Sequence, residues 1–205
     1  SILNGVQRLV LTFNNNTINF KLSLFLSKNL KLLKKLKVLD IKNAPLMQMQ
    51  DLLESIHINR NSLEIVEVYH QKNEMDKLLK AIVFCVNIKE LRIRYSVFEK
   101  ALPNELGGLT NLINLDLSGN QITGSIPSSL GNLAKLTNLN LTDNQLTESI
   151  PSSLGNLAKL ETLYLSYNQL TGSIPKSLKK FLSNINPQVE NTTPPTEYDL
   201  KVGHY

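Results

Sequence analysis

The stretch LTNLINLDLSGNQITGSIPSSLGN (109–132) is followed directly by LAKLTNLNLTDNQLTESIPSSLGN (133–156) and then by LAKLETLYLSYNQLTGSIPKSLKK (157–180). Each unit has 24 residues, and the twelve from Ser125 to Leu136 recur unchanged from Ser149 to Leu160. Identity at a fixed period marks repeated structural units rather than shared composition. Within the first unit the apolar positions are Leu109, Leu112, Leu115, Leu117, Ile122, Ile126 and Leu130, and the same offsets are apolar in the others. These are too many for one helix stripe and too irregular for a hairpin, so each unit must bury them against a neighbour. At roughly 1.5–3 kcal/mol per fully buried side chain, one unit alone is unstable and a stack is stable.

Moving outward, the 24 residues before Leu109 form a divergent fourth copy through Cys85, Ile88, Leu91, Ile93, Phe98, Leu102 and Leu106. Pro103 and Gly107 match Pro127 and Gly131, but Ser96 stands where the other copies have asparagine. The pattern LxxLxxLxLxxNxLTGxIPxxLGxL over residues 85–180 resembles the plant-type leucine-rich repeat of receptor ectodomains and related inhibitors. That resemblance implies a curved parallel solenoid with one short strand per repeat on its concave side.

The first 84 residues carry the strand signal with longer spacers: Leu3, Val6, Leu9 and Leu11, then Leu33, Leu36, Leu39 and Ile41, then Leu63, Val66 and Val68. Between these strands Met75, Leu78, Leu79, Ile82 and Val83 recur at i, i+3, i+4, i+7 and i+8, which predicts a helical return. Segments 22–33 and 47–58 read the same way, so this half resembles longer, helix-backed leucine-rich repeats. The expectation is an α/β horseshoe of about seven repeats with a parallel concave sheet. Residues 1–84 form helix-backed repeats, 85–180 plant-type repeats with irregular or 3-10 returns, and 181–205 a cap and irregular tail, all in one continuous domain. Leu178, Phe181, Leu182 and Ile185 have the helical spacing of a cap over the last repeat. The proline-containing tail reads as irregular.

Asn120, Asn144 and Asn168 follow the strand at one offset, where a side-chain amide can pair with backbone groups of adjacent turns. They predict a buried asparagine ladder, because orphaned backbone groups there cost roughly 1–3 kcal/mol each. Gly124 and Gly172 mark a tight backbone after the ladder, and Glu148 breaks that pattern, predicting local strain.

The 205 residues carry 22 Lys+Arg against 17 Asp+Glu, a net charge of +5, with 41% apolar residues, a composition that folds rather than stays disordered. Residues 1–100 are net +7 and residues 101–205 net −2, the latter from six basic and eight acidic residues. Lys28, Lys31, Lys34, Lys35 and Lys37 alternate with leucines, so they read as the wet side of an amphipathic segment rather than an anion site. No apolar run is long enough for a membrane helix, and no secretory signal layout opens the chain. Because Ser1 rather than Met opens it, it reads as a segment of something longer. Cys85 sits at a core leucine position, and His57, His70 and His204 have no metal or triad spacing. No phosphate loop or zinc pattern occurs, so neither enzymatic activity nor a cofactor or metal is expected. Sequons stand at Asn15, Asn140 and Asn191 and do not decide the compartment. The single cysteine and the absence of the cysteine pairs of extracellular plant-type caps favour the cytoplasm, with an extracellular setting as the alternative.

What remains is the outward row of each strand, since strand side chains alternate between faces. These rows hold Tyr69, then Glu90, Arg92, Arg94 and Tyr95, then Asp116, then Asn140 and Asp143, then Tyr164 and Tyr167. The last two plant-type repeats share most of their loop sequence yet differ at all four concave positions, and four of the six tyrosines fall on this face. Tyrosine and arginine are common interface anchors. The reading is therefore a non-enzymatic interaction module that binds a protein or peptide on the concave face, with Arg92 and Arg94 meeting acidic groups and Tyr164 and Tyr167 giving apolar contact. It is a scaffold, regulatory or complex subunit, without nucleic acid or membrane insertion. An extracellular recognition or inhibitor module, or a structural subunit using convex and end surfaces, are the alternatives.

Overall fold

Each copy of the repeat forms one strand and one return, and the strands stack side by side. The structure, a computed structural model, describes residues 5–12, 32–42, 49–70, 75–178 and 199–201. Seven parallel strands follow in chain order across one sheet: β1 (Arg8–Thr12), β2 (Val38–Lys42), β3 (Ile65–Tyr69), β4 (Glu90–Arg94), β5 (Asn114–Asp116), β7 (Asn138–Asn140) and β9 (Thr162–Tyr164). The returns differ as the two halves of the sequence differ. Helices α1 (Met49–Asn59) and α2 (Met75–Ile82) back the first half, α2 burying Met75, Leu78, Leu79 and Ile82. In the second half 3-10 turns take over at Asn104–Gly108, Ser128–Asn132, Ser152–Asn156 and Lys176–Leu178. Pro103, Pro127 and Pro151 open the first three in extended conformation. A second, two-stranded sheet joins β6 (Thr123–Ser125) to β8 (Gln145–Thr147).

Register fixes which side chains share a face. Leu9, Leu39, Val66, Leu91, Leu115, Leu139 and Leu163 are successive partners across the sheet. Of these all but the partly buried Leu9 lie in the core. All seven apolar positions of the first two 24-residue units are buried, and in the divergent copy Cys85, Ile88 and Leu91 are fully enclosed. In the third unit Leu170 and Ile174 are only partly covered, as befits the end of the stack.

The expected asparagine ladder is present. Asn144 Nδ2 donates to Leu117 O and Leu141 O, each at 3.0 Å, while its Oδ1 accepts from Ile122 N at 3.1 Å. Asn120 bonds to Ile93 O, Leu117 O and the Ser96 N–H, and Asn168 to Leu141 O, Leu165 O and the Leu146 N–H. The helix-backed half has its own member: Asn59, ending α1, accepts from Leu36 N at 2.9 Å and donates to Ser55 O.

Glu148 has φ +64, the position that Gly124 and Gly172 fill at +74 and +79. A left-handed conformation costs a residue with a Cβ roughly 1–2 kcal/mol, and Glu148 is exposed, so its side chain packs against little. Replacing Glu148 by glycine is expected to raise stability in urea by about 1 kcal/mol, the gain reduced by glycine's greater freedom when unfolded. A loss of stability on that replacement would show that the strain lies elsewhere.

The end of the chain departs from the expected irregular tail. Asp199–Lys201 forms β10, antiparallel to β9, with Leu200 opposite Leu163. It covers the unpaired backbone edge that a parallel stack leaves open. Leu178 is fully buried. The helix expected over 22–33 falls almost wholly outside the described residues. The cap residues Phe181, Leu182 and Ile185, together with Leu3, Asn15, Asn191 and His204, also lie outside them.

Candidate functional site

Opposite the core, the outward residues form rows that run across the repeats. Val10, Asp40, Glu67, Arg92, Asp116, Asn140 and Tyr164 are successive partners in register. Beside them run Arg8, Val38, Ile65, Glu90, Asn114, Asn138 and Thr162. Much of this surface bonds to itself. Asn138 Nδ2 donates to Asn114 Oδ1 at 2.7 Å, and Thr162 Oγ1 donates to Asn138 Oδ1.

The charges pair as well, which changes the role expected for the arginines. Arg92 bridges Glu67 and Glu90, and Arg94 places Nε and Nη2 at 2.8 and 2.6 Å from Asp116 Oδ2. Asp116 is buried and also accepts from the Ser118 N–H and hydroxyl. Asp40 meets Lys42 at 3.3 Å. Arg92 and Arg94 thus have carboxylate partners within the chain, so an acidic group of a ligand would compete with Glu67, Glu90 and Asp116 for them. Tyr69 is similarly engaged: Lys42 Nζ and the Arg94 guanidinium lie 5.4 and 5.9 Å from its ring centre. Burial, followed by the nearby Glu67 carboxylate, raises the pKa of its phenol.

One further row follows the strand ends: His70, Tyr95, Gly119, Asp143 and Tyr167 all have positive φ, from +51 to +65. The chain turns the same left-handed corner in each repeat, which glycine tolerates and other residues occupy at a cost. His70 and Tyr95 stack with centroids 5.6 Å apart at 17°. The Tyr95 ring leans over Gly119, where a Cβ would come within 2.5 Å of its Cδ1. Past that ring the row loses its bulk, because Gly119 has no side chain and Asp143 a short one, until Tyr167 restores it. The result is a hollow of about 530 Å³ walled by Tyr95, Asp143, Tyr164 and Tyr167 and floored by Ser118, Gly119, Asn140 and Thr142. Tyr95 and Tyr167 stand 58% and 65% exposed at its two ends.

Of the residues expected on the concave face, the structure gathers Tyr95, Asn140, Asp143, Tyr164 and Tyr167 at the hollow. It sets Tyr69, Glu90, Arg92, Arg94 and Asp116 to one side of it in the paired charge network. Ser118, Gly119 and Thr142, outward positions of the same repeats by strand alternation, also line the hollow, and the lack of a side chain at Gly119 was the one sequence signal for a recess there. Cys85 takes no part. Burial pushes its thiol up to about 12, which leaves almost no thiolate at neutral pH. Among the described residues no group of three His, Cys, Asp or Glu is placed to hold a metal ion, and no helix is long and apolar enough to cross a membrane.

The repeat geometry is shared with known proteins. A family model described as Leucine Rich repeats (2 copies) matches residues 110–156, and one described as Leucine Rich Repeat matches 159–181. Residues 110–156 and 159–181 are thus leucine-rich repeats. Its seven-strand horseshoe superposes on the plant peptide hormone receptor RGFR1, solved in complex with RGF2. The TM-score is 0.64 at 28% identity, over 85% of this chain and 26% of that one. It also superposes on the Arabidopsis receptor kinase HAESA ectodomain, solved with an extended IDA peptide hormone, at TM-score 0.59 and 30% identity over 74% and 25%. A plant ice-binding protein gives TM-score 0.51 and 32% identity over 65% and 40%. This leucine-rich repeat chain spans about a quarter of the length of those receptor ectodomains. A search of curated proteins found no significant match.

Proposed function

We propose that this leucine-rich repeat chain is a non-enzymatic recognition module that binds a protein or peptide on its concave face, at the hollow between Tyr95 and Tyr167. The observation that carries the reading is the hollow itself. Three tyrosines converge on a recess of about 530 Å³, on a face where many neighbouring side chains bond to one another across the strands. Tyrosine presents large contact area at small entropic cost and is over-represented among residues that dominate binding energy. Two structural neighbours at 28% and 30% identity were solved with peptide hormones bound, which supports the ligand class. Acting in this way, the chain serves as a scaffold, regulatory or complex subunit.

A displayed random-peptide library selected on the whole chain supplies binders to test this. The triple replacement Tyr95→Ala, Tyr164→Ala and Tyr167→Ala is expected to weaken them more than roughly 100-fold, since residues of this kind contribute about 2 kcal/mol or more each. Far-ultraviolet dichroism and the melting temperature should stay unchanged, because Tyr95 and Tyr167 are largely exposed. Binders that keep their affinity would place the site elsewhere, for instance at Phe84 and Val86, which stand 68% and 51% exposed after α2.

A further inference from the structure

We infer that the hollow between Tyr95 and Tyr167 receives a cationic side chain, an arginine of the bound protein or peptide, with Asp143 as its counter-charge. This rests on the concave-face reading and adds to it the chemistry of the ligand.

Among the described residues Asp143 is the only charged one lining the hollow. Elsewhere on this face carboxylates have cations to hand, Asp40 with Lys42, Glu67 and Glu90 with Arg92, and Asp116 with Arg94. Asp143 is exposed and has no ion pair among the described residues. Arg94, the outward cation nearest in the repeat order, already directs two of its nitrogens at Asp116. Its corner is held in place, because the Asp143 N–H donates to Ser166 O at 3.0 Å.

The rings point to the same ligand. A cation over a tyrosine face is attracted by the ring quadrupole, and this chain already uses that contact where Lys42 and Arg94 flank Tyr69. Tyr95, Tyr164 and Tyr167 have no such cation among the described residues, yet they surround the unpaired carboxylate. Tyr95 and Tyr167 are three strand spacings apart in register, roughly 14 Å at about 4.8 Å per strand. That opening admits an extended side chain together with its neighbours. A planar guanidinium suits it better than an ammonium, since it can stack on a ring and address the carboxylate at once.

The test uses two capped tripeptides, acetyl-Ala-Arg-Ala-amide and its citrulline counterpart, which keeps the shape and loses the charge. Each is titrated into the whole chain carrying ring-labelled tyrosine, and the six tyrosine signals are followed by NMR. The arginine peptide is expected to bind roughly tenfold more tightly than the citrulline peptide, from the ring contact and a charge-assisted hydrogen bond. It should move the signals of Tyr95, Tyr164 and Tyr167, and its advantage should shrink as salt is raised. In Asp143→Asn, shown to be folded by dichroism, the advantage should shrink to the part that the rings alone supply. Equal affinity in the unaltered chain, an arginine advantage left undiminished by Asp143→Asn, or no shift at those tyrosines overturns the inference. Library binders that need the three tyrosines but contain no basic residue would overturn it as well, while leaving the concave-face reading intact.

Discussion

Replacing Asn144 by alanine is expected to destabilise the chain by roughly 2–4 kcal/mol, a large fraction of what holds many domains folded. The side chain is 8% exposed and lies between two repeats. Its amide donates to Leu117 O of the preceding turn and Leu141 O of its own, and its carbonyl accepts from Ile122 N. Alanine leaves the Ile122 N–H buried without its partner, at about 1–3 kcal/mol, and takes one of two donors from each of the carbonyls of Leu117 and Leu141, at about 0.5–1.5 kcal/mol apiece. Asn120 and Asn168 continue to donate to Leu117 O and Leu141 O, but neither offers its side-chain oxygen to the Ile122 N–H, since those oxygens accept from Ser96 N and Leu146 N. Urea unfolding monitored by dichroism gives the number. Asn132, exposed on the 3-10 turn, serves as the control, and its alanine variant should stay within about 0.5 kcal/mol. A loss below about 1 kcal/mol at Asn144 would mean that water replaces the amide and the ladder is not what joins the repeats.

The ladder was legible in the sequence because the repeat displays it: one residue type at one offset in three successive units. The seven apolar positions were legible for the same reason, as was the change from helical to 3-10 returns, which follows the change in spacer length. Features that belong to a pair of turns rather than to one turn were harder to see. Asn59 has the same task as the ladder asparagines, but it ends a helix and sits in a unit with no close copy, so no offset exposed it. Arg92 and Arg94 look free along the chain, and only the stacked strands place Glu67 opposite Arg92 and bring Asp116 within reach of Arg94. The hollow is of this kind too. Tyrosines at concave positions could be read from strand alternation, whereas the recess between them depends on Gly119 lying beneath the Tyr95 ring, a contact between neighbouring repeats. β10 left no sequence signal, because three residues at an edge have no period.

The other large effect belongs to a second ladder on the convex side, also formed between turns. Gly107, Gly131 and Gly155 are buried in successive 3-10 turns, each facing a serine of the next repeat. A Cβ built on Gly131 would meet Ser153 O at 2.4 Å and Ser153 Cβ at 2.8 Å. The serines cannot withdraw cheaply, since Ser129, Ser153 and Ser177 each donate from Oγ to a backbone carbonyl one repeat back, Ser153 to Ser128 O at 2.7 Å. Gly131→Ala therefore demands that two turns move apart, and the sheet resists because the strands on the opposite side hold the repeats at their hydrogen-bonded spacing. Overpacking of this kind costs about 1–3 kcal/mol, and the upper end is expected here because the clash is with backbone. The exposed Gly108, with nothing within 4 Å of its would-be Cβ, is the matched control and should tolerate alanine with little change. Comparing the two by thermal melting separates contact from composition. A Gly131→Ala chain as stable as Gly108→Ala would show that the convex turns slide freely, and that the sheet and the asparagines alone set the repeat spacing.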